Sequence, residues 1–367
     1  MSVWDGYPAN YRSREVQALV SAARAGECAA LIGLSGSGKS NLMCFIAHRL
    51  GRDGSLPGVH TQHPAFVLVD CNRLPQPAPE ALFRLVLEAL GSPAAAEANA
   101  YAALDQAVAC LLQEVTGLCL LLDRFDALAR SGESLPQAVA SNLRALRDAH
   151  KYELTYIIAS RRPLDPHSEL AELFFAHTLW LGALNESDAR WNVARFTQRN
   201  NLDWNELTVQ RILQLSGGYP ALLRAVCEAH AAGCPLVLEE IVQHTALQKR
   251  VAEFWADQPG PAELDHSGLT GHPLLNAAQP PQDMDTSQLT AKENLLWEFF
   301  KRHPNQVCEK DDLIRAVWPE DRIFERGIRD DSLAQLVRRL REKIELQPSA
   351  PRIIHTVPGR GYRYTPQ

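Results

Sequence analysis

The sequence predicts an α/β protein built on a parallel sheet, followed by a helical subdomain and then a separate, smaller α+β unit. Three observations carry this reading. Between residues 15 and 181, five short apolar runs alternate with longer helical stretches, the pattern of a parallel sheet covered by helices. From 186 to 254, helical spacing continues with no strand between the segments. After a stretch rich in proline and glycine, the chain resumes as amphipathic helices and a basic-tipped hairpin. With 367 residues, 46% of them hydrophobic, it can bury several cores. The implied domains are 1–182 for the sheet, 183–256 for the helical subdomain, 257–286 for a linker and 287–367 for the terminal unit.

The elements follow in order. The strand candidates are 29–33, 65–70, 118–123, 156–160 and 178–181, each short, apolar and rich in branched residues. Helical spacing covers 186–198, 204–215, 221–232 and 236–254. Residues 257–287 carry Pro259, Pro261, Pro273, Pro280 and Pro281 with Gly260, Gly268 and Gly271, which break any long helix. Residues 289–303 form an amphipathic helix with Thr290 as N-cap and Glu293 completing a capping box. Asp331 or Ser332 caps a further helix reaching Ile344, with Leu333, Leu336, Val337, Leu340 and Ile344 on its apolar face. Residues 352–357 alternate like a strand, 358–361 turn, and 362–364 return.

Charge is segregated along the chain. The total is 37 basic against 43 acidic residues, a net charge of -6, which excludes a protein coated in positive charge for unspecific nucleic-acid binding. From Ser287 onward, however, 15 basic face 12 acidic residues, and from Ser332 onward seven face two. Any phosphate contact belongs there. The eight cysteines form no CxxC pair and no disulfide-like framework, as expected in a reducing cytosol. Cys227, His230 and Cys234 have ligand-like spacing on an apolar helix end, but no fourth ligand adjoins them. No run approaches the roughly 20 apolar residues of a membrane span, and residues 1–10 lack the pattern of a signal peptide. A cytoplasmic protein without membrane contact is expected.

Residues 33–40, Gly-Leu-Ser-Gly-Ser-Gly-Lys-Ser, satisfy GxxxxGK[ST] directly after an apolar run and at the start of a helical stretch, which defines a phosphate-binding P-loop. Gly33, Gly36 and Gly38 let the N–H groups of Ser35, Ser37 and their neighbours turn toward phosphates, while Lys39 reaches the terminal phosphates, Ser40 ligates magnesium and Asn41 opens the helix. A chance match is expected in about 0.01 of chains this long, so an ordinary glycine turn is a weak rival. Asp123, closing a buried strand, is the Walker B candidate for the same magnesium. Arg124 follows it where an acidic residue often polarises the attacking water, with Asp126 close by, so hydrolysis of ATP is expected to be slow.

Leu122-Asp123-Arg124-Phe125-Asp126, read with the P-loop, resembles the AAA+ and STAND signal-transduction ATPases, particularly the branch shared with archaeal and origin-recognition-like ATPases, over about residues 11–250. The resemblance implies that Tyr11-Arg12-Ser13-Arg14-Glu15 lies beside the adenine through Arg14, with Ser13 where a glycine is usual. It makes Ser160 the phosphate sensor and places Arg161 or Arg162 on the γ-phosphate, in its own subunit or a neighbour's. By the same resemblance Gly217-Gly218-Tyr219-Pro220 lies in a lid, with Pro220 over the nucleotide base.

Helix plus basic-tipped hairpin is the geometry of a winged helix. Leu289-Thr290-Ala291-Lys292-Glu293, Val317-Trp318-Pro319, Arg339-Leu340-Arg341-Glu342-Lys343-Ile344 and Thr356-Val357-Pro358-Gly359-Arg360-Gly361-Tyr362-Arg363-Tyr364 closely resemble the OmpR/PhoB-type winged-helix domain, over 287–366. The resemblance implies double-stranded DNA as partner, with Gln335, Arg338, Arg339 and Lys343 in the major groove and Thr356, Arg360 and Arg363 at the wing. No receiver domain precedes the module, so the ATPase is expected to supply the input. Three functions remain open at this level. One is a transcriptional regulator that self-associates when ATP-bound; another is a DNA-anchored ATPase of a mobile-element or phage-defence system that recruits an effector protein; the third is a winged helix turned protein-interaction module, as its acidic flank Asp330-Asp331 permits.

Overall fold

A computed structural model describes residues 3–51, 64–74, 78–93, 99–128, 137–278, 289–318, 326–345, 351 and 353–365, with the side chains of 326–331 outside that description. The chain forms two compact units, 1–278 and 279–367.

The first unit opens with helix α1 (Ser13–Arg24) and runs through β1 (Ala29–Ile32), α2 (Lys39–Leu50), β2 (Ala65–Asp70), α3 (Pro79–Ala89), α4 (Ala100–Leu112), β3 (Leu118–Asp123), α5 (Gln137–Ala149), β4 (Leu154–Ser160) and β5 (Thr178–Trp180). The strands form a sheet in the order β2-β3-β4-β1-β5, all parallel. Successive strand residues face opposite layers, so the sheet splits its apolar side chains between two cores. Leu31, Cys119, Leu121, Ile157 and Ala159 pack with α1 and α2; Ile32, Leu120, Leu122, Tyr156 and Ile158 pack with α3, α4 and α5. With both faces covered, these strands are continuously apolar, which is why they are legible in sequence.

The helical subdomain holds α6 (Glu186–Asn200), α7 (Glu206–Ser216), α8 (Pro220–Ala231), α9 (Leu238–Ile241) and α10 (Thr245–Trp255). Asn185 and Asn205 cap α6 and α7 by accepting from the N–H groups of Asp188 and Thr208. The single helical stretch expected over 236–254 is two helices, because His244 turns out of helical geometry and its ring nitrogen caps α10.

The stretch read as a linker contains α11 (Pro261–His266) and α12 (Pro273–Ala277), both within the first unit. Pro261 and Pro273 stand in the first turns of these helices, where a missing N–H costs nothing, so they start helices here. Leu269, Leu274 and Leu275 are buried in the α1/α2-side core, and His266 stacks on Trp180 of the edge strand β5 at 4.6 Å. Pro280 and Pro281 lie outside the described residues.

The second unit comprises α13 (Ala291–Arg302), β6 (Val307–Glu309), α14 (Lys310–Val317), α15 (Arg326–Ile344), β7 (Ile354–Val357) and β8 (Gly361–Tyr364), with an antiparallel sheet ordered β6-β8-β7. This is an α+β winged helix. The Thr290 N–H donates to Glu293 Oε2 at 2.8 Å, as the capping pattern requires. Helix α15 begins at Arg326, ahead of the expected cap at Asp331 or Ser332; a cap-forming residue permits a helix start without enforcing one. Its apolar face, Leu333, Leu336, Val337, Leu340 and Ile344, forms the core with Leu296, Trp297, Phe300, Leu313 and Ile354.

Candidate nucleotide site and nucleic-acid interface

The sheet order decides where the chemistry collects. β4 lies between β3 and β1, and the three strands end together: Ile32 is in register with Ser160, and the Gly33 N–H donates to the Ser160 carbonyl at 3.2 Å. The P-loop, Asp123 and Ser160 therefore meet at the carboxyl edge of the sheet, where ligands of open α/β sheets bind. Asp123 and Ser160 are both buried there.

Within the loop, Gly36 has φ +80°, and a Cβ on it would lie 2.3 Å from the Cβ of Ala221. Gly38, at φ +94°, is the N-cap of α2. Lys39 Nζ donates to the carbonyls of Gly33 and Leu34. Burial lowers its pKa to about 8, against the opposing pull of Asp126, Asp257 and Asp123. Asn41 Oδ1 accepts from the Tyr7 hydroxyl at 3.0 Å, which fixes the first turn of α2. Burial raises the Asp123 carboxyl above its usual value, countered by hydrogen bonds from the Ser40 hydroxyl and the Arg124 N–H. Arg124 itself is exposed and left-handed at φ 53°.

Asp126 is engaged by Arg161, whose Nε lies 2.6 Å from Asp126 Oδ2 and whose Nη1 lies 2.7 Å from Asp257 Oδ1. Arg162 reaches the carbonyls of Asp257 and Gln258 and, at 3.5 Å, the Glu263 carboxylate. From the helical subdomain, the Tyr219 hydroxyl donates to the Ser35 carbonyl at 2.8 Å, and the Ala221 N–H donates to the Gly36 carbonyl at 3.1 Å. Pro220 stands between them, 3.7 Å from where a Gly38 Cβ would be. The expected lid motif therefore rests directly on the P-loop. A cavity of about 420 Å³ beside the loop is lined by Ser35, Gly36, Arg161, Ala221, Arg250, Glu253, Ala256 and Asp257.

Arg14 is not brought to this site. It is exposed at the start of α1, whereas Arg12, at φ 44° and 2% exposed, donates to the carbonyls of Ser37 and Gly182 at 3.0 Å each. Two arginines two residues apart are equivalent in sequence; the left-handed backbone at Arg12 selects between them. Asp257 and Arg250 were also missed, since neither belongs to a motif. The residues present suit a magnesium nucleotide. Ser40 at the start of α2 and Asp123 at the end of β3 form an all-oxygen pair for a hard cation, and Lys39 and Arg161 supply positive charge for phosphate. Magnesium would neutralise phosphate charge there.

In the winged helix, Gln335, Arg338 and Arg339 are exposed on α15, and Arg360 and Arg363 are exposed at the turn and on β8. Arg338 pairs with Glu342 along the helix at 3.0 Å. Two residues proposed for DNA are drawn into the domain's own structure. Lys343 Nζ lies 2.6 Å from Oε2 of Glu293, whose side chain is 2% exposed. Thr356 Oγ1 accepts from Arg341 Nη2 at 2.9 Å, and the same guanidinium donates twice to the Ile354 carbonyl, binding α15 to β7. Glu345 completes that junction by accepting from the N–H groups of Ile353 and Ile354, both at 2.9 Å.

Residues 11–237 match the family model described as Novel STAND NTPase 1. The chain belongs to this STAND NTPase family. Residues 285–364 of this STAND NTPase match a second model, transcriptional regulatory protein, C terminal. The chain is 41% identical over 76 residues to a probable transcriptional regulatory protein of Picosynechococcus sp., covering 21% of this chain and 29% of that protein. It is 37% identical over 103 residues, a stretch longer than the 285–364 segment, to the alkaline phosphatase synthesis transcriptional regulatory protein SphR of Synechococcus elongatus, with 28% of this chain and 38% of that protein covered. The STAND NTPase thus spans about a third of these relatives' length. Among solved structures, the Walker-type ATPase PABY2304 of Pyrococcus abyssi is similar at 14% identity and a TM-score of 0.49, covering 100% of this chain and 97% of that one. The protein joins a P-loop NTPase domain to a response-regulator-type DNA-binding domain. No helix among its described residues is long and apolar enough to cross a membrane.

Proposed function

We propose that this protein is an ATP- and magnesium-binding, slowly hydrolysing switch that binds double-stranded DNA through its winged helix and regulates transcription. The observation that carries this reading is a single chain joining the P-loop, with its Ser40–Asp123 pair, to a winged helix with exposed Arg339, Arg360 and Arg363. Lys39 and Arg161 hold the terminal phosphate, Ser40 and Asp123 the magnesium, and Ser160 senses phosphate at the strand end. Slow hydrolysis follows from Arg124 standing after Asp123 and from Asp126 being ion-paired with Arg161, which leaves water activation weak. ATP-driven self-association places several winged helices on repeated half-sites and multiplies a modest single-site affinity.

The test is binding of the purified protein to a genomic fragment library with ATP, ADP or no nucleotide, repeated for Lys39→Ala at two salt concentrations. Discrete fragments whose occupancy needs both ATP and Lys39 are expected, and about six phosphate contacts give a log-log salt slope near -5. Tight binding indifferent to nucleotide and to Lys39 contradicts the switch, making the winged helix a fixed anchor for an ATPase that recruits an effector protein.

A further inference from the structure

Asp257 has no place in the P-loop, in the strand-end motifs or in the lid motif. Yet its side chain, 6% exposed, is built into the loop. One carboxylate oxygen accepts from the Ser35 N–H at 3.1 Å, and the other lies 2.7 Å from Arg161 Nη1. Arg162 holds the same short segment by its backbone, through the carbonyls of Asp257 and Gln258. A carboxylate presents two anionic oxygens to an N–H and a guanidinium much as a phosphate does. The partners it takes are an inward-turned donor of the P-loop and the arginine at the end of β4.

We propose that Asp257 is a tethered competitor for the terminal phosphate of a bound nucleotide, and so sets the preference of the site between di- and triphosphate. The proposal rests on the reading of the P-loop as a nucleotide site. A group held in place by its own chain competes at high effective concentration, so the apparent affinity for any ligand needing the same donors falls by the fraction of time they are available. A diphosphate can be held by Lys39 and the α2 end of the loop with Asp257 in place. A triphosphate needs Arg161 and displaces the carboxylate.

Displacement has a structural consequence within the first unit. Asp257 lies between α10 and α11, and the segment that follows is docked through the stack of His266 on Trp180 and the burial of Leu269, Leu274 and Leu275. Release of Asp257 and its backbone clamp loosens the head of that segment, whose other end leads in sequence to residue 279, where the second unit begins. A triphosphate is thereby sensed by chain continuous with the DNA-binding unit.

The experiment measures binding of fluorescent ATP and ADP analogues, with magnesium, to the full chain and to Asp257→Asn, Asp257→Ala, Arg161→Ala and Lys39→Ala. If the competitor occupies the donors about nine-tenths of the time, neutralising it tightens ATP about tenfold, and ADP by a smaller factor. Arg161→Ala does not share the gain, because it removes the ligand's contact together with the competitor's. Hydrogen exchange at residues 257–268 of the wild-type chain rises with ATP and not with ADP, a readout that needs no variant to fold. Lys39-dependent binding with ATP and ADP affinities unchanged in both Asp257 variants, or ATP and ADP giving identical exchange, overturns the competitor and leaves the nucleotide site standing. Absence of Lys39-dependent binding in every protein refutes the nucleotide site itself, and the competitor with it.

Discussion

Replacing Lys343 with alanine separates a DNA contact from a structural ion pair. In sequence Lys343 belongs with Arg338 and Arg339 on the basic face of a recognition helix; in the structure its ammonium lies 2.6 Å from Glu293, whose side chain is 2% exposed. Burial alone would push that carboxyl up, but Lys343 and the hydrogen bonds of Thr290 bring it below its ordinary value of 4.5. Breaking a fully buried pair by removing one partner costs about 3–5 kcal/mol, and because Lys343 is one-third exposed the expected loss here is nearer 2 kcal/mol. Hydrogen-exchange protection of α13 and α15 in the full chain should fall about 30-fold in Lys343→Ala, the equivalent of that energy at 1.4 kcal/mol per tenfold. Protection should largely return in Lys343→Ala with Glu293→Gln, which leaves no buried charge behind. A folded carboxyl held below its unfolded value adds stability that is fully present above pH 4.5 and is lost as pH falls through the folded value. The wild-type winged helix should therefore lose this increment below pH 4.5, and the double variant should not. Unchanged protection in Lys343→Ala together with weaker DNA binding and a salt slope shallower by about one would refute the ion pair and restore Lys343 as a phosphate contact.

Three further outcomes follow from the same geometry. A Cβ on Gly361 would lie 2.1 Å from the Cys308 carbonyl, so Gly361→Ala should separate β6 from β8 and cost about 2 kcal/mol or more, seen as lost exchange protection at 307–309 and 361–364. The Lys39 amine, depressed to about 8, binds phosphate as ammonium, so ATP affinity should weaken as pH rises from 7 to 9, while Lys39→Arg should show no such dependence. Leu275, 1% exposed on the buried side of α12, should cost about 2–4 kcal/mol as Leu275→Ala in denaturant unfolding of the first unit, whereas a flexible linker at this position would tolerate the change.

Most of the fold was legible because the layers impose strong periodicities. The sheet strands are apolar on both faces, the P-loop marks the end of β1, and the capping box at Thr290 and Glu293 marks the start of α13. Features that depend on distant partners were not legible. β6 has three residues, too few to alternate, and exists because β8 pairs with it. Pro261 and Pro273 read as helix breakers, although proline in a first turn initiates a helix when leucines behind it can be buried. At the nucleotide site, the loop was legible as a motif and Asp123 as the end of a buried strand, while Ser160 and Pro220 were indicated by the resemblance to STAND and AAA+ ATPases; the structure brings all of them to the same edge of the sheet. Arg12 was passed over for Arg14 because backbone conformation decides between them, and Asp257 carries no local signal at all. Lys343 and Arg341 illustrate a general ambiguity: a basic residue on a helix that carries DNA contacts can serve its own domain equally well, and sequence does not record which carboxylate or carbonyl lies across from it.

In the proposed switch, nucleotide and DNA occupancy are energetically linked within one chain, and linkage requires the effect to run in both directions. The most direct measurement is the ATP dissociation constant of the full chain with and without a saturating DNA fragment selected from the library, with Lys39→Ala and a scrambled fragment as controls. The specific fragment should tighten ATP by the same factor by which ATP tightens the fragment, about 5- to 150-fold for a coupling of usual size. An ATP dissociation constant identical with specific, scrambled and no DNA would contradict it, leaving an NTPase and a DNA-binding domain that share a chain without sharing a function.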